Sequence, residues 1–153
     1  MLEKVLAPLL VVGEMHTLTG KTRLQKLMCL VEANLTQGSR SPGYRFQLHY
    51  YGPFSFDLAH VVDQLVDQQL LAEQSQVTPS GNIVFSYWVT PEGREFVTEV
   101  LAREPGYEDL ARDVARVIHE YGYVSLERLI EKAYEAYPRV EAHGNPPANA
   151  AGA

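Results

Sequence analysis

Three cations near the start of a predicted helix are the side chains whose type and spacing best suit them to chemistry. Lys21, Arg23 and Lys26 follow closely after Gly20. Because a helix N-terminus carries a partial positive charge, cations added there can hold a phosphate or an acidic protein segment. The Gly-Lys-Thr at 20–22 resembles the end of a P-loop, but the glycine needed five positions earlier is Met15, so we expect no nucleotide site. An ordinary solvated helix face is the alternative interpretation.

A stretch rich in aromatic residues, at 44–56, is the second candidate surface. Aromatic side chains interleaved with an arginine and a histidine can stack on single-stranded nucleic acid, although such clusters more often pack in a core or sheet. The alternation places one set inward: Tyr44, Phe46, Leu48 and Tyr50. The outward set is the candidate binding surface: Arg45, Gln47, His49 and Tyr51.

The residue spacing contains no catalytic or metal-binding constellation. The five histidines do not pair at the spacing of metal ligands, and no serine has the Gly-x-Ser-x-Gly frame of a nucleophile elbow. Cys29 is the single cysteine, which excludes an internal disulfide, and its apolar neighbours on a helix predict a buried core position. We therefore predict a protein without enzymatic activity, bound metal or cofactor.

The chain of 153 residues has the composition of one globular domain, with 46% hydrophobic and 21% charged residues. It has no apolar run of the roughly 20 residues that a membrane span needs, and its N-terminus lacks the pattern of a signal peptide. We therefore expect a cytoplasmic protein with no membrane contact. The net charge of −6 divides into +2 for residues 1–60 and −8 for the remainder, so an anionic partner should meet the N-terminal part.

Hydrophobic periodicity and turn residues predict the secondary structure. Helices are expected over 2–14, 20–34, 56–71, 91–103, 107–121 and 126–137, and strands over 44–51, 71–77 and 83–89. Thr19, Ser55 and Thr90 are the expected N-caps of the second, third and fourth helices. Pro8 should kink or split the first helix, and the Gly-Pro at 52–53 should end the first strand.

This order of elements is that of a winged helix-turn-helix, with the 71–89 hairpin as the wing. We therefore predict an α+β fold of this type, with an inserted strand between the second and third helices. Residues 1–104 form the predicted winged-helix domain, 105–138 a C-terminal helical extension and 139–153 a disordered tail. The apolar stripes of the last two helices could pack on the domain or on a second copy, and we predict a homodimer.

The third predicted helix has an unsuitable charge for reading DNA. In a DNA-binding winged helix it would enter the major groove and offer basic or amide side chains to the bases. Its exposed face instead carries Asp57, Asp63 and Asp67 beside Gln64 and Gln68, with no Lys or Arg, and carboxylates repel phosphates. Asp63, Gln64 and Asp67 are therefore candidate contacts for a protein partner.

Two segments resemble a family of small prokaryotic proteins, the YwgA-like family. The matching residues are 20–27 (GKTRLQKL) and 50–55 (YYGPFS), the latter followed by a leucine-rich helix. The SocA-like (Panacea) antitoxin domains are similar in a looser way, and 89–93 (VTPEG) resembles the segment after the wing of MarR-like and PadR-like regulators. The resemblance covers about residues 1–100. It implies a winged-helix domain without known enzymatic activity, acting either as a DNA-binding regulator or as a protein-binding antitoxin or adaptor.

Two functions are therefore expected. The first is a DNA-associated role, in transcriptional regulation, phage defence or a toxin–antitoxin pair, in which double-stranded DNA is contacted by Lys21, Arg23, Lys26, Arg45 and His49. The alternative is a protein–protein interaction module that uses the same scaffold without binding DNA, through Asp63, Gln64 and Asp67.

Overall fold

The computed structural model describes residues 2–144, which form six α-helices and two small antiparallel sheets. The helices are α1 (Leu2–Met15), α2 (Lys21–Ala33), α3 (Phe56–Asp67), α4 (Pro91–Arg103), α5 (Glu108–Tyr121) and α6 (Leu126–Gly144). The strands are β1 (Leu18–Thr19), β2 (Gln47–His49), β3 (Gly52–Phe54), β4 (Leu71–Val77) and β5 (Ile83–Val89). The fold is therefore α+β, as predicted, and residues 145–153 of the predicted tail lie outside the described residues.

The larger sheet has the strand order β1-β5-β4. The hairpin of β4 and β5 has the predicted bounds, and its register pairs Leu71 with Val89 and Val77 with Ile83. The two-residue strand β1 was not predicted. Thr19 was expected to cap α2, but it lies in β1 opposite Ser86, and the N-cap of α2 is Gly20, which makes no side-chain hydrogen bond. The cap prediction was wrong because pairing with β5 takes up the backbone before the helix.

Helix α1 runs without interruption through Pro8, so the predicted split does not occur. A proline has no N–H, and Pro8 therefore leaves the carbonyl oxygen of Lys4, four residues earlier, without its usual helical donor. The hydroxyl of the fully buried Tyr44 donates to that oxygen instead. The burial of Leu6 and Leu9 on either side of the proline further stabilises the helix.

Two of the predicted helix caps are confirmed. The Ser55 hydroxyl accepts a hydrogen bond from the Leu58 N–H (3.2 Å) at the start of α3, and the Thr90 hydroxyl accepts from the Gly93 N–H (2.9 Å) at the start of α4. Helix α3 ends at Asp67, earlier than predicted, because Gln69 adopts a positive φ of 63° and turns the chain into β4. The polar face of α3 therefore comprises little more than three turns.

The single strand predicted over 44–51 is a hairpin in the structure. Tyr44 and Phe46 are buried as predicted, but β2 then reverses at residues 50–51 and pairs with β3, in the register Gln47 to Phe54. The Gly-Pro at 52–53 was expected to end the first strand, but it begins the returning strand β3. Leu48 and Tyr50, which were expected in the core, are exposed because this hairpin extends beyond it.

Helices α5 and α6 pack against α1 and α2, so the predicted C-terminal extension shares its core with the helices before it. The shared core includes Leu6, Val12, Leu27, Leu30, Val114, Ile118, Leu129 and Val140. Helix α6 continues through Pro138 to Gly144, so the disorder predicted for 139–144 is wrong. Burial of Ala136 and Val140 against the core outweighs the backbone hydrogen bond that Pro138 forfeits.

Two carboxylates hold the long segment between α2 and β2. Asp113 accepts hydrogen bonds from the Thr36 N–H (2.8 Å), the Ser39 hydroxyl and the Arg116 guanidinium (2.7 Å). Burial raises the pKa of Asp113, but these hydrogen bonds outweigh it and hold the pKa below its usual value. Glu32 binds the Gly43 N–H (2.9 Å), although burial raises its pKa overall. The path of the segment into β2 is therefore determined by specific polar contacts.

Candidate functional site

The two segments that carry the family resemblance meet in the structure. The side chain of Gln25 donates from Nε2 to the Ser55 carbonyl oxygen (2.9 Å) and accepts at Oε1 from the Ser55 N–H (2.8 Å). The next residue, Lys26, donates from Nζ to the Pro53 carbonyl oxygen (2.8 Å). These four residues, which we name the α2 clamp, are buried. The clamp fixes the junction of β3 and α3 against α2, and so positions the exposed surfaces of the β2–β3 hairpin and of α3.

Lys26 is buried where an exposed cation was expected. Its side chain is only 1% exposed, and it forms no ion pair with a carboxylate among the described residues. Since burial penalises the ammonium form, it lowers the pKa of Lys26 to about 8, and the Cys29 thiol opposes this shift only in part. Lys26 therefore does not offer its charge to a phosphate at the surface of this conformation.

Arg23 is also bonded within the protein. Its Nη1 donates to the carbonyl oxygens of Gly122 (3.2 Å) and Val124 (2.9 Å), just after the end of α5. A cation at a helix C-terminus is favourable because the last carbonyl groups carry partial negative charge. The contact attaches α2 to the turn between α5 and α6, which gives Arg23 a structural role.

The other three predicted phosphate contacts lie at the surface. Lys21 is exposed, with Nζ 4.2 Å from the centroid of the Phe85 ring. Arg45 and His49 are also exposed, and the His49 ring lies 5.5 Å from that of Phe54, centroid to centroid. The structure therefore divides the five predicted residues into two with internal partners and three at the surface.

The polar side of α3 is acidic, as the sequence indicated. Asp57, Asp63, Gln64 and Asp67, which we name the acidic face, are all exposed. Lys4 lies 3.6 Å from Asp57, between Nζ and Oδ2. Neither Asp63 nor Asp67 forms an ion pair among residues 2–142, so both carboxylates are available to an outside cation.

An apolar surface lies beside the N-terminal end of the acidic face. Leu48, Tyr50, Tyr51 and Phe56, which we name the hairpin patch, are 56%, 87%, 66% and 57% exposed. Large exposed apolar side chains grouped on one short hairpin and the helix turn after it are a candidate interaction site. Edge-to-face contact between Phe54 and Phe56, with ring centroids 5.0 Å apart, connects the hairpin to the first turn of α3.

The hairpin patch was missed by the sequence analysis because alternation alone assigned Leu48 and Tyr50 to the core. The signal that could have found it is the glycine after Tyr50-Tyr51, since tight hairpin turns need a residue of positive φ. Gly52 has a φ of 99°, and a Cβ there would lie 3.2 Å from the Tyr134 ring of α6. The turn is therefore packed against α6 on one side and open to solvent on the other.

The described residues include neither a metal-holding group nor an accessible thiol. No group of three or more His, Cys, Asp and Glu side chains within residues 2–142 is arranged to hold a metal ion. Cys29 is buried as predicted, and burial raises the pKa of its thiol to about 12, so it is protonated and unreactive at neutral pH. None of the described helices has the length and apolar character needed to cross a membrane.

Comparison of the chain with protein-family models, with curated proteins and with solved structures finds no match. The acidic face, the hairpin patch and the clamp that positions them are therefore the features of the chain that bear on its function.

Proposed function

We propose that the chain is a protein-interaction module on a winged-helix scaffold, and that it binds a basic segment of another protein through the acidic face and the hairpin patch. The observation that carries the proposal is the charge of α3. Its exposed carboxylates at Asp57, Asp63 and Asp67 face solvent without a Lys or Arg on the same helix. Such a face attracts cations and repels nucleic acid.

The order of the elements supports the scaffold part of the proposal. Helices α1, α2 and α3 precede the hairpin of β4 and β5, and β1 pairs with β5 at the sheet edge. In a winged helix the third helix is the element that reads DNA. Here that helix carries carboxylates, which repel phosphate groups, so the same exposed position suits a protein partner.

The hairpin patch supports an extended rather than a purely ionic contact. Surface ion pairs contribute little binding free energy by themselves, whereas buried aromatic side chains supply most of it in protein interfaces. Tyr50 and Tyr51 are positioned at the turn of the hairpin, and Phe56 continues the patch onto the first turn of α3. A partner segment with basic and apolar side chains would meet both surfaces together.

Site-specific photo-crosslinking in the source cells tests the proposal. A benzophenone side chain replaces Gln64 or Tyr51, and, as a matched control, the exposed Gln76 on β4. We expect a discrete protein adduct from the first two positions, none from Gln76, and loss of the adduct in Asp63→Lys/Asp67→Lys. Adducts to DNA, or protein adducts that survive the charge reversal, would contradict the proposal.

A DNA-associated role is the second candidate, favoured by the exposed Lys21 and Arg45. If these cations contact phosphates, Lys21→Glu/Arg45→Glu should weaken binding to duplex DNA and reduce its salt dependence. Arg23 is unsuitable for this test, because its loss would also break the contact with the end of α5.

A further inference from the structure

An open cleft of about 770 Å³ is lined by α1 and the turn after it, by β5, by α4 and by α5, and α3 contributes no residue to it. Its walls are mainly apolar and include Leu10, Trp88, Val97 and Leu101. Cavities that bind small molecules have volumes of about 300–1,000 Å³ and combine apolar walls with a few polar groups. The cleft has this size and character, and neither the acidic face nor the hairpin patch contributes to it.

One cation on the wall gives the cleft a chemical preference. Arg94 donates from Nη1 to the Val89 carbonyl oxygen (3.0 Å), which orients the guanidinium. It has no ion pair or ring contact among residues 2–142, so the edge formed by Nε and Nη2 has no partner there. That edge matches the two oxygens of a carboxylate.

Glu14, on the α1 side of the cleft, is the opposing charge. It is exposed and forms no ion pair among the described residues. Because Glu14 repels an anion, a negatively charged group should bind on the α4 side, against Arg94, and a second anionic group on the same ligand would be disfavoured.

We propose that this cleft binds a small amphipathic carboxylate, with its apolar body against Leu10, Trp88, Val97 and Leu101 and its single carboxylate against Arg94. This site is independent of the proposed function, because its residues belong neither to α3 nor to the β2–β3 hairpin. A ligand there would contact α1, β5, α4 and α5 at once.

The chain contains a built-in reporter, since Trp88 is its single tryptophan and lines the cleft. The purified full chain is titrated with decanoate, decan-1-ol and decylamine, which share one apolar body and differ in head-group charge. We expect saturable binding of decanoate with a blue shift of the Trp88 emission, and affinities about tenfold lower for the other two probes.

Three variants test whether the probes bind in the cleft and whether Arg94 holds the carboxylate. Arg94→Gln should abolish the preference for decanoate, while Arg103→Gln, an exposed arginine on α4 outside the cleft, should preserve it. Thr98→Phe places a ring in the cleft from an exposed position, so it should fold normally and weaken all three probes.

Four results would overturn the proposal. They are equal binding of the three probes, no saturable binding of any of them, equal effects of Arg94→Gln and Arg103→Gln, and unchanged binding in Thr98→Phe. If Thr98→Phe instead converts a dimer to a monomer in light scattering while no probe shifts the Trp88 emission, the cleft is an interface between two copies.

Discussion

At the scale of single residues, Lys26 shows that a lysine predicted to lie at the surface can instead be a buried hydrogen-bond donor. A lysine in a run of cations indicates a surface contact, yet this side chain lies inside the protein and bonds to the Pro53 carbonyl oxygen. Nothing in the spacing distinguishes it from Lys21, which is exposed. The difference arises from β3, a distant part of the chain that lies against α2 in the folded structure.

The burial of Lys26 predicts a pH-dependent stability. Its folded pKa of about 8 lies below the usual 10.5, so below about pH 8 folding must bury a charge. Between these two values the unfolded state binds more protons, and the free energy of unfolding therefore rises with pH, by about 3 kcal/mol in total from this group.

Urea denaturation of the wild type and of Lys26→Met, at several pH values from 7 to about 10.5, tests this prediction. The difference between the two proteins isolates the contribution of Lys26 from that of the other ionisable groups. We expect the wild type to gain stability relative to Lys26→Met as the pH rises. A difference that stays constant with pH would show that the lysine is not buried in a charged state at neutral pH.

At the scale of elements, α1 depends on a hydrogen bond from outside the helix. The Tyr44 hydroxyl donates to the Lys4 carbonyl oxygen that Pro8 leaves without a helical donor. Tyr44→Phe should therefore cost about 1 kcal/mol in the wild type. In a Pro8→Ala background the cost should fall, because the substituted alanine supplies a backbone N–H to the same oxygen.

A double-mutant cycle measured by thermal or urea denaturation gives this coupling directly. Equal costs of Tyr44→Phe in both backgrounds would mean that the hydroxyl and the proline act independently.

The β2–β3 hairpin supplies a second prediction at this scale. Gly52 and Gly81 both adopt positive φ, at 99° and 88°, but an added Cβ would lie 3.2 Å from Tyr134 at Gly52 and would contact nothing within 4 Å at Gly81. Both alanine substitutions should cost about 1–2 kcal/mol in backbone strain. Gly52→Ala should cost about 1 kcal/mol more, because Tyr134 must shift.

Denaturation of the two variants, with Gly52→Ala repeated in Tyr134→Ala, separates the two effects. The excess cost at Gly52 should disappear when the ring is removed. An excess that persists without the ring would place the strain elsewhere in the turn.

The elements that the sequence predicted well are those whose limits are defined locally. Ser55 and Thr90 cap their helices, and the polar turn between Val77 and Ile83 defines the β4–β5 hairpin. The errors have non-local causes. Strand β1 exists only because β5 pairs with it, and α6 continues past Pro138 because Val140 packs into a core built from earlier helices.

In the candidate site, too, the features set by local patterns could be predicted from the sequence, and those set by distant contacts could not. The acidic face follows from helical periodicity, so Asp63, Gln64 and Asp67 could be placed from the sequence. The hairpin patch and the internal bonds of Arg23 and Lys26 depend on contacts between residues far apart in the chain. Local patterns cannot reveal such contacts.

At the scale of the whole molecule, α5 and α6 bury most of their apolar stripes within the chain's own core, although Leu126 and Tyr134 of α6 stay exposed. The predicted homodimer would therefore need mainly another surface, such as the cleft or the hairpin patch. Light scattering on the purified chain tests this: if a dimer forms, Thr98→Phe or Tyr50→Ser/Tyr51→Ser should convert it to a monomer. A dimer that withstands both changes would place the interface elsewhere.

The charge of α3, within the charge pattern of the whole molecule, supports the proposal that this helix is a protein-binding face and not a DNA-reading helix. The decisive measurement is the binding of mixed-sequence duplex DNA at about 50 and about 200 mM salt, followed by fluorescence anisotropy. It compares the wild type with Asp63→Lys/Asp67→Lys, and with Glu127→Lys/Glu131→Lys, which makes the same charge change at exposed positions on α6.

We expect no salt-dependent binding by the wild type or by the α6 variant, and salt-sensitive binding by the α3 variant alone. That result would show that only the carboxylates on α3 keep this surface from DNA. Tight, salt-sensitive binding by the wild type would contradict the proposed protein-binding role of α3.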